Sequence, residues 1–224
     1  MVFVTGGTGL VGSHLLFELV SNHVSVRALC RTESSLEEVK SIFSFYSEQG
    51  AELFAKIEWM KGDILDLFSL YEGLEGVSQV YHCAAMVSIN TSDGERMIYN
   101  NVTGTANVMN AALEKNIQKL CYVSSVATLG SDKNKEITET TSWNEESNIS
   151  AYAISKYLSE NEVWRASAEG LNVVVVNPSI IIGPCNSKRS SGLFFKTAYN
   201  GLSWYSGGGM GYVDVRAVVG LSLI

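Results

Sequence analysis

The feature that most narrows the folds open to this chain is a glycine-rich turn between two apolar segments. Strand-like Val2-Phe3-Val4-Thr5 runs directly into Gly6-Gly7-Thr8-Gly9-Leu10-Val11-Gly12, and Leu15, Leu16, Leu19 and Val20 follow at helical spacing. Gly7, Gly9 and Gly12 stand where a chain must turn tightly, let its backbone approach a ligand and pack a new helix against the strand it has left. Side chains there would obstruct all three. Unpaired N–H groups at the head of the helix, together with the positive end of its dipole, stabilise a bound pyrophosphate. Glycine-rich turns also occur for purely structural reasons. The strand before this one and the helix after it give Gly6 to Gly12, with Thr8, Leu10 and Val11 included, the reading of a dinucleotide-binding turn.

Downstream, short runs rich in Val, Ile, Tyr and Cys alternate with longer segments of helical periodicity, the pattern of repeated βα units around a parallel sheet. Strands are predicted over residues 2–5, 24–29, 57–61, 79–83, 120–124 and 173–177, with a short one at 212–215. Helices are predicted to begin near Leu10, Glu33, Leu67, Gly94, Ala151 and Ser191. The unbroken run Val173-Val174-Val175-Val176 implies a strand buried on both faces. The expected fold class is therefore α/β, a doubly wound Rossmann-type parallel sheet with helices on both faces. Residues 1–178 form the dinucleotide-binding domain that carries the chemistry, and 179–224 form a smaller, partial substrate-binding region. The polar stretch 131–150 reads as a surface loop bordering the site.

Composition excludes several partners. At 224 residues and 46% hydrophobic content the chain can bury a full core, so one principal domain is expected. A formal net charge of −7, with no Lys/Arg-rich segment, creates no field that would draw nucleic acid or an anionic membrane. The four cysteines, Cys30, Cys83, Cys121 and Cys185, lack metal-site or redox-pair spacing and read as reduced thiols. No signal stretch precedes the first strand, and the apolar runs 173–176 and 180–182 fall far short of the roughly 20 residues a bilayer demands. A cytoplasmic, soluble protein is expected.

Tyr152 and Lys156 are four positions apart in a helical segment and share one face, so their polar ends can meet at one substrate. A free tyrosine titrates near ~10 and serves as a base at neutral pH only where positive charge favours its phenolate. Ser125, at the end of the fifth predicted strand, can hydrogen-bond the same substrate oxygen; Ser124 competes for that role, and Thr128 is a second candidate for substrate contact. The second predicted strand ends in Cys30-Arg31-Thr32, where an acid would bind ribose hydroxyls in an NAD enzyme. Arg31 can instead pair with a 2′-phosphate, which favours NADP over NAD, although a strand-end arginine is often only a solvated charge.

In order, the chain carries Gly62-Asp63-Ile64-Leu65, Tyr81-His82-Cys83-Ala84-Ala85, Asn101-Val102-Thr103-Gly104, Val123-Ser124-Ser125, Tyr152-Ala153-Ile154-Ser155-Lys156, and Asn177-Pro178-Ser179 followed by Gly183-Pro184. With the opening turn, this series resembles the extended short-chain dehydrogenase/reductase family, also called the NAD-dependent epimerase/dehydratase family. Arg31, Phe194-Phe195-Lys196 and Tyr212-Val213-Asp214-Val215-Arg216 resemble its dihydroflavonol-4-reductase-like branch. The resemblance implies catalytic roles for Ser125, Tyr152 and Lys156. It places Asp63 and Ile64 beside the adenine, Ala84, Ala85 and Met86 along the cofactor, and Pro178 with Ser179 near the nicotinamide. Asn101 either orders the site or plays a structural part inside its helix, and His82 reads as a satisfied structural histidine. The Lys188-Arg189 pair reads as a solvated loop. A homodimer packed through residues 105–113 and 152–164 is implied as well.

Three functions stay open. The leading one is an NADP-dependent oxidoreductase interconverting a carbonyl and a secondary alcohol on a small organic molecule. The second is a nucleotide-sugar epimerase or dehydratase with tightly held NAD. The third is a non-catalytic NAD(P)-binding scaffold, kept open because family members usually continue beyond this endpoint and Ala217 replaces a frequent acid.

Overall fold

The structure, a computed structural model, describes residues 1–33, 36–88, 90–130, 137–141, 143, 149–185, 192–201, 209 and 211–223, without the side chains of 194 and 195. Along the chain run β1 (Val2–Thr5), α1 (Leu10–Ser21), β2 (Val26–Cys30), α2 (Leu36–Tyr46), α3 (Gly50–Phe54), β3 (Glu58–Lys61), α4 (Leu67–Gly73) and β4 (Gln79–His82). There follow α5 (Gly94–Glu114), β5 (Lys119–Val123), α6 (Ala151–Ala168), β6 (Val173–Val176), β7 (Ile180–Ile182), α7 (Gly192–Tyr199), β8 (Tyr212–Asp214) and α8 (Val215–Ser222).

Six strands form one sheet in the order β3-β2-β1-β4-β5-β6, and β7 pairs with β8 in a separate two-stranded sheet. Every pairing is parallel, with Val4 opposite both Ala28 and Tyr81. Alternation of side chains sends Phe3, Val80, Leu120 and Tyr122 to one face, where they meet α4, α5 and α6. Val2, Val4, Ala28, Tyr81 and Cys121 go to the other, beneath α1, α2 and α8. The doubly wound arrangement is as expected, and its strand order reverses between β1 and β4. A crevice therefore opens beyond their carboxyl ends, the place where open α/β sheets bind ligands.

The differences from the sequence reading have local causes. Residues 24 and 25 fall outside the second strand, where His23 adopts a left-handed φ of 61° and the Val24 N–H caps the Leu19 carbonyl. The helix expected from Glu33 starts at Leu36, and that expected from Ser191 at Gly192. The short α3 carries too few residues to show a period, and Ile180–Ile182, read only as an apolar run, is a strand. The last strand stops at Asp214, whose carboxylate caps α8 by accepting from the Arg216 N–H at 2.8 Å. The Val173 to Val176 strand packs on both faces as expected, Val173 and Val175 against one core and Val176 against the other, but β6 is a sheet edge and its valines are only half-buried. Most of the predicted 131–150 loop and the Lys188-Arg189 pair lie outside the described residues. Among the described residues no helix is long and apolar enough to cross a membrane, and no group of His, Cys, Asp and Glu could hold a metal ion.

Candidate active site

The site begins at the turn between β1 and α1. Gly6 has φ of 70°, and a Cβ there would lie 2.5 Å from the Ala84 backbone nitrogen at the end of β4. A Cβ on Gly12 would collide with the Gly6 carbonyl oxygen. These two glycines let the turn fold back on itself and lie against the neighbouring strand. Gly9 is the N-cap of α1 and provides no side-chain cap, and the first turn of α1 carries no acid. The N–H groups of the first turn therefore have no intrahelical acceptor and face the crevice, a geometry suited to a diphosphate.

Beyond β2 and β3 lies a cleft of about 640 Å³ whose charged lining is Arg31, Lys40 and Lys61 together with Glu33 and Glu37, the last paired with Lys40. Arg31 and Lys61 form no ion pair among the described residues. Asp63 uses one carboxylate oxygen to accept from the Leu65 N–H at 3.0 Å. Ile64 packs its side chain into the gap left by Gly104, and its carbonyl accepts from the Asn107 amide at 3.0 Å. Next along the crevice come Ala84, Ala85 and Met86. Asn101, buried in α5, accepts from the Met86 N–H at 2.6 Å and donates to the Met86 carbonyl and Ser155 hydroxyl, both at 3.0 Å. Its amide thus fixes the backbone of the loop after β4 and ties it to α6.

His82 is held on both ring nitrogens, at 2.6 Å from the Thr5 hydroxyl and 3.0 Å from that of Thr105. Burial, helped by the charge of Lys156, lowers its pKa to about 3. It is a neutral structural histidine, in line with its reading from sequence.

Tyr152 and Lys156 project from one face of α6, whose N-cap is Ser150, accepting from the Ala153 N–H at 3.1 Å. Burial raises the Tyr152 pKa, and the influence of the neighbouring Ser125 hydroxyl opposes the shift. The phenol therefore holds its proton at neutral pH and can deliver it. Ser125 N-caps a single 3-10 turn, Val126–Thr128, accepting from the Ala127 N–H at 3.2 Å. Ser124 points elsewhere and donates to Glu160 at 2.5 Å. Of the two serines, Ser124 is engaged by Glu160, and Ser125 is the one whose hydroxyl acts on the phenol. Thr128 also turns to Glu160, at 2.8 Å.

Lys156 is 1% exposed. Its ammonium donates to the Tyr122 hydroxyl at 2.7 Å and the Val123 carbonyl at 2.9 Å, and lies 4.3 Å from the Tyr122 ring centroid. An ammonium has three N–H donors, so one more can serve the crevice. Burial brings its pKa down to about 7, against the opposing charge of Glu160. Pro178 and Ser179 follow β6, and the Pro178 carbonyl accepts from the Val126 N–H at 3.0 Å, which joins that turn to the Ser125 turn.

Tyr122 and Glu160 were not singled out from the sequence. Glu160 could have been, since it lies four positions beyond Lys156 and eight beyond Tyr152 on the same helix face. Tyr122 gives no local signal, because strand alternation alone does not say that its hydroxyl meets a lysine from α6.

The sheet order, the glycine turn and the residues at the strand ends define a Rossmann-type α/β protein of the short-chain dehydrogenase/reductase kind. The chain belongs to the NAD dependent epimerase/dehydratase family, whose model matches residues 2–203. It is 32% identical to a putative dihydroflavonol 4-reductase of Synechocystis sp., over 96% of this chain and 60% of that protein. Cinnamoyl-CoA reductase 1 of Petunia hybrida is 29% identical, over 97% of this chain and 66% of its own length. The crystal structure of gox2253 superposes with a TM-score of 0.82 at 33% identity, covering 98% of this chain and 64% of that one. The chain thus spans less than two thirds of the length of these proteins.

Proposed function

We propose that the protein is an NADP-dependent oxidoreductase that interconverts a carbonyl and a secondary alcohol on a small organic molecule. The single observation that carries this is the buried Lys156 ammonium, held by Tyr122 and the Val123 carbonyl one helical turn from Tyr152 on α6, with the Ser125 turn following the same strand beside the crevice at the glycine turn. Gly6 and Gly12 let the turn pack tightly on itself and on the end of the neighbouring strand, so that the head of α1 can offer its N–H groups to the charge of a diphosphate. Arg31 and Lys61 stand at the end of the cleft where a 2′-phosphate would lie. Ala84, Ala85, Met86, Pro178 and Ser179 border the path between the glycine turn and the phenol.

When bound, the nicotinamide supplies the hydride. The residues supply the rest. Ser125 and Tyr152 hold the carbonyl oxygen of the substrate; as hydride reaches the carbon, the phenol gives its proton to that oxygen. The Lys156 charge steadies the phenolate left behind. In the opposite direction the phenolate removes the alcohol proton. The names of the curated relatives, both reductases, support net reduction over the epimerase or dehydratase reading. A lysine buried one helical turn from Tyr152, with a third N–H left to serve the crevice, argues against a non-catalytic scaffold.

Two further parts of this reading concern organisation. Residues 1–178 serve as the dinucleotide-binding domain, to which α8 returns to cover one face of the sheet, and the separate β7-β8 sheet belongs to the substrate side. A homodimer would join through the outer faces of α5 and α6, where Tyr99, Leu158 and Trp164 are exposed; light scattering that reports only monomer removes that part. The test of the activity is NADPH oxidation across a panel of aryl and alkyl ketones and aldehydes, with Tyr152→Phe as control. Turnover should fall by roughly 10²-fold or more in the variant, while NADPH binding persists. Unchanged turnover in the variant overturns the assignment.

A further inference from the structure

Glu160 gathers more polar partners than any catalytic candidate, yet the proposed chemistry does not use it. One carboxylate oxygen, Oε2, accepts from the Ser124 hydroxyl at 2.5 Å, the Thr128 hydroxyl at 2.8 Å and the Asn177 amide at 2.9 Å. The other, Oε1, accepts from the Trp164 indole N–H at 3.1 Å. Asn177 also donates to the Thr128 hydroxyl at 2.9 Å and lies 3.3 Å from the Ser125 carbonyl. Three of these donors come from outside α6. Ser124 and Thr128 flank Ser125 on the turn after β5, and Asn177 directly precedes Pro178 on the turn after β6.

We propose that Glu160 is a positioning residue: its carboxylate clamps the Ser125 turn and the Asn177-Pro178 turn onto the helix that carries Tyr152 and Lys156, and so sets the Ser125–Tyr152 distance. The inference rests on the catalytic reading above for its consequence and on the hydrogen bonds for the clamp itself. Helix spacing makes the device direct. Tyr152, Lys156 and Glu160 recur every four residues, so one face of α6 presents the proton donor, the cation and the anchor in succession. A carboxylate suits the task because its two oxygens have room for about four donors and carry none of their own. Charge-assisted bonds of this kind are roughly twice as strong as neutral ones.

The same charge acts on Lys156. The groups that face that ammonium are Tyr122 from β5, His82 and Cys83 at the end of β4, and Tyr152 and Glu160 from its own helix. Of these Glu160 raises the Lys156 pKa most, against burial. Loss of the carboxylate charge therefore lets Lys156 release its proton at lower pH.

The test compares wild type with Glu160→Gln and Ser124→Ala in the full chain. Hydrogen exchange is read at the Val126 and Thr128 amides, and kcat and KM are followed against pH with NADPH and the ketone or aldehyde of the panel that wild type reduces fastest. In Glu160→Gln, exchange at those amides is expected to rise about tenfold or more while Leu15 and Leu16 in α1 stay unchanged. kcat should fall about tenfold with little change in KM, and its alkaline limb should move to lower pH. Ser124→Ala keeps the charge, so it should raise local exchange and leave that limb in place. Exchange that stays unchanged, or rises alike throughout the molecule, overturns the clamp. A limb that does not move in Glu160→Gln overturns the action on Lys156. If wild type turns over no substrate, the catalytic reading fails, and the exchange data alone decide whether the clamp exists.

Discussion

Gly6→Ala tests the geometry of the cofactor turn against a control already present in the fold. Gly6 and Gly76 share a φ of 70°, but a Cβ on Gly76 would meet nothing within 4 Å, whereas one on Gly6 would lie 2.5 Å from the Ala84 nitrogen and 2.6 Å from the Cys83 carbonyl carbon. The left-handed backbone costs alanine roughly 1–2 kcal/mol at either site. At Gly6 the clash is with the backbone just after β4, where the Cys83 N–H is held by the Thr5 carbonyl at 3.1 Å, and it cannot swing aside as a side chain would. Together these place Gly6→Ala at roughly 3–5 kcal/mol, against about 1–2 for Gly76→Ala. At roughly 2–4 °C per kcal/mol for a chain of this size, the Gly6 variant should melt about 6–20 °C below wild type and the control about 2–8 °C below. Calorimetric melting reads both. NADPH affinity should fall at least about tenfold in Gly6→Ala alone, since relief of the clash moves the turn away from the head of α1. Equal melting shifts in the two variants, or full affinity in Gly6→Ala, would refute the close-approach argument.

Further expectations concern charge and the loop after β4. Lys156 titrates at about 7 in the folded protein against an ordinary 10.5, so kcat should decline as pH rises through about 7 and the ammonium is lost. Between those values the unfolded chain binds the extra proton, so wild-type stability should rise with pH relative to Lys156→Met across that window; melting curves that stay parallel from pH 7 to 10 exclude it. Asn101→Leu strips the Met86 N–H and carbonyl of their partners and should cost about 1–3 kcal/mol, with faster exchange at the Met86 amide as the direct readout. Arg31→Ala should weaken NADPH binding about tenfold or more and leave NADH binding nearly unchanged; equal losses for both dinucleotides would remove the 2′-phosphate role.

Much of this architecture was legible because its signals are local. The strand-turn-helix at Val2 to Val20 and the periodic segments behind it fix a parallel α/β sheet, and ligand binding beyond the strand ends follows from that topology. Within the turn, the fingerprint glycines Gly7, Gly9 and Gly12 stood out, but the residue with the left-handed backbone is Gly6. That requirement comes from Ala84, far away in sequence, and no local pattern reports it. The pairing of Tyr152 with Lys156 was readable from helical spacing. The partners that tune them were not: Tyr122 reaches Lys156 from a strand 34 positions away, and Ser124 turns from the candidate role because Glu160 draws it off. The edge position of β6 escaped for a related reason, since a run of valines states apolar faces without stating whether a further strand pairs alongside.

The most direct measurement is calorimetric titration of the folded protein with NADPH and NADH. The account predicts saturable binding of one dinucleotide per chain, tighter for NADPH and weakened by Gly6→Ala. Binding of neither dinucleotide would contradict it, because Tyr152 would then have no hydride to accompany.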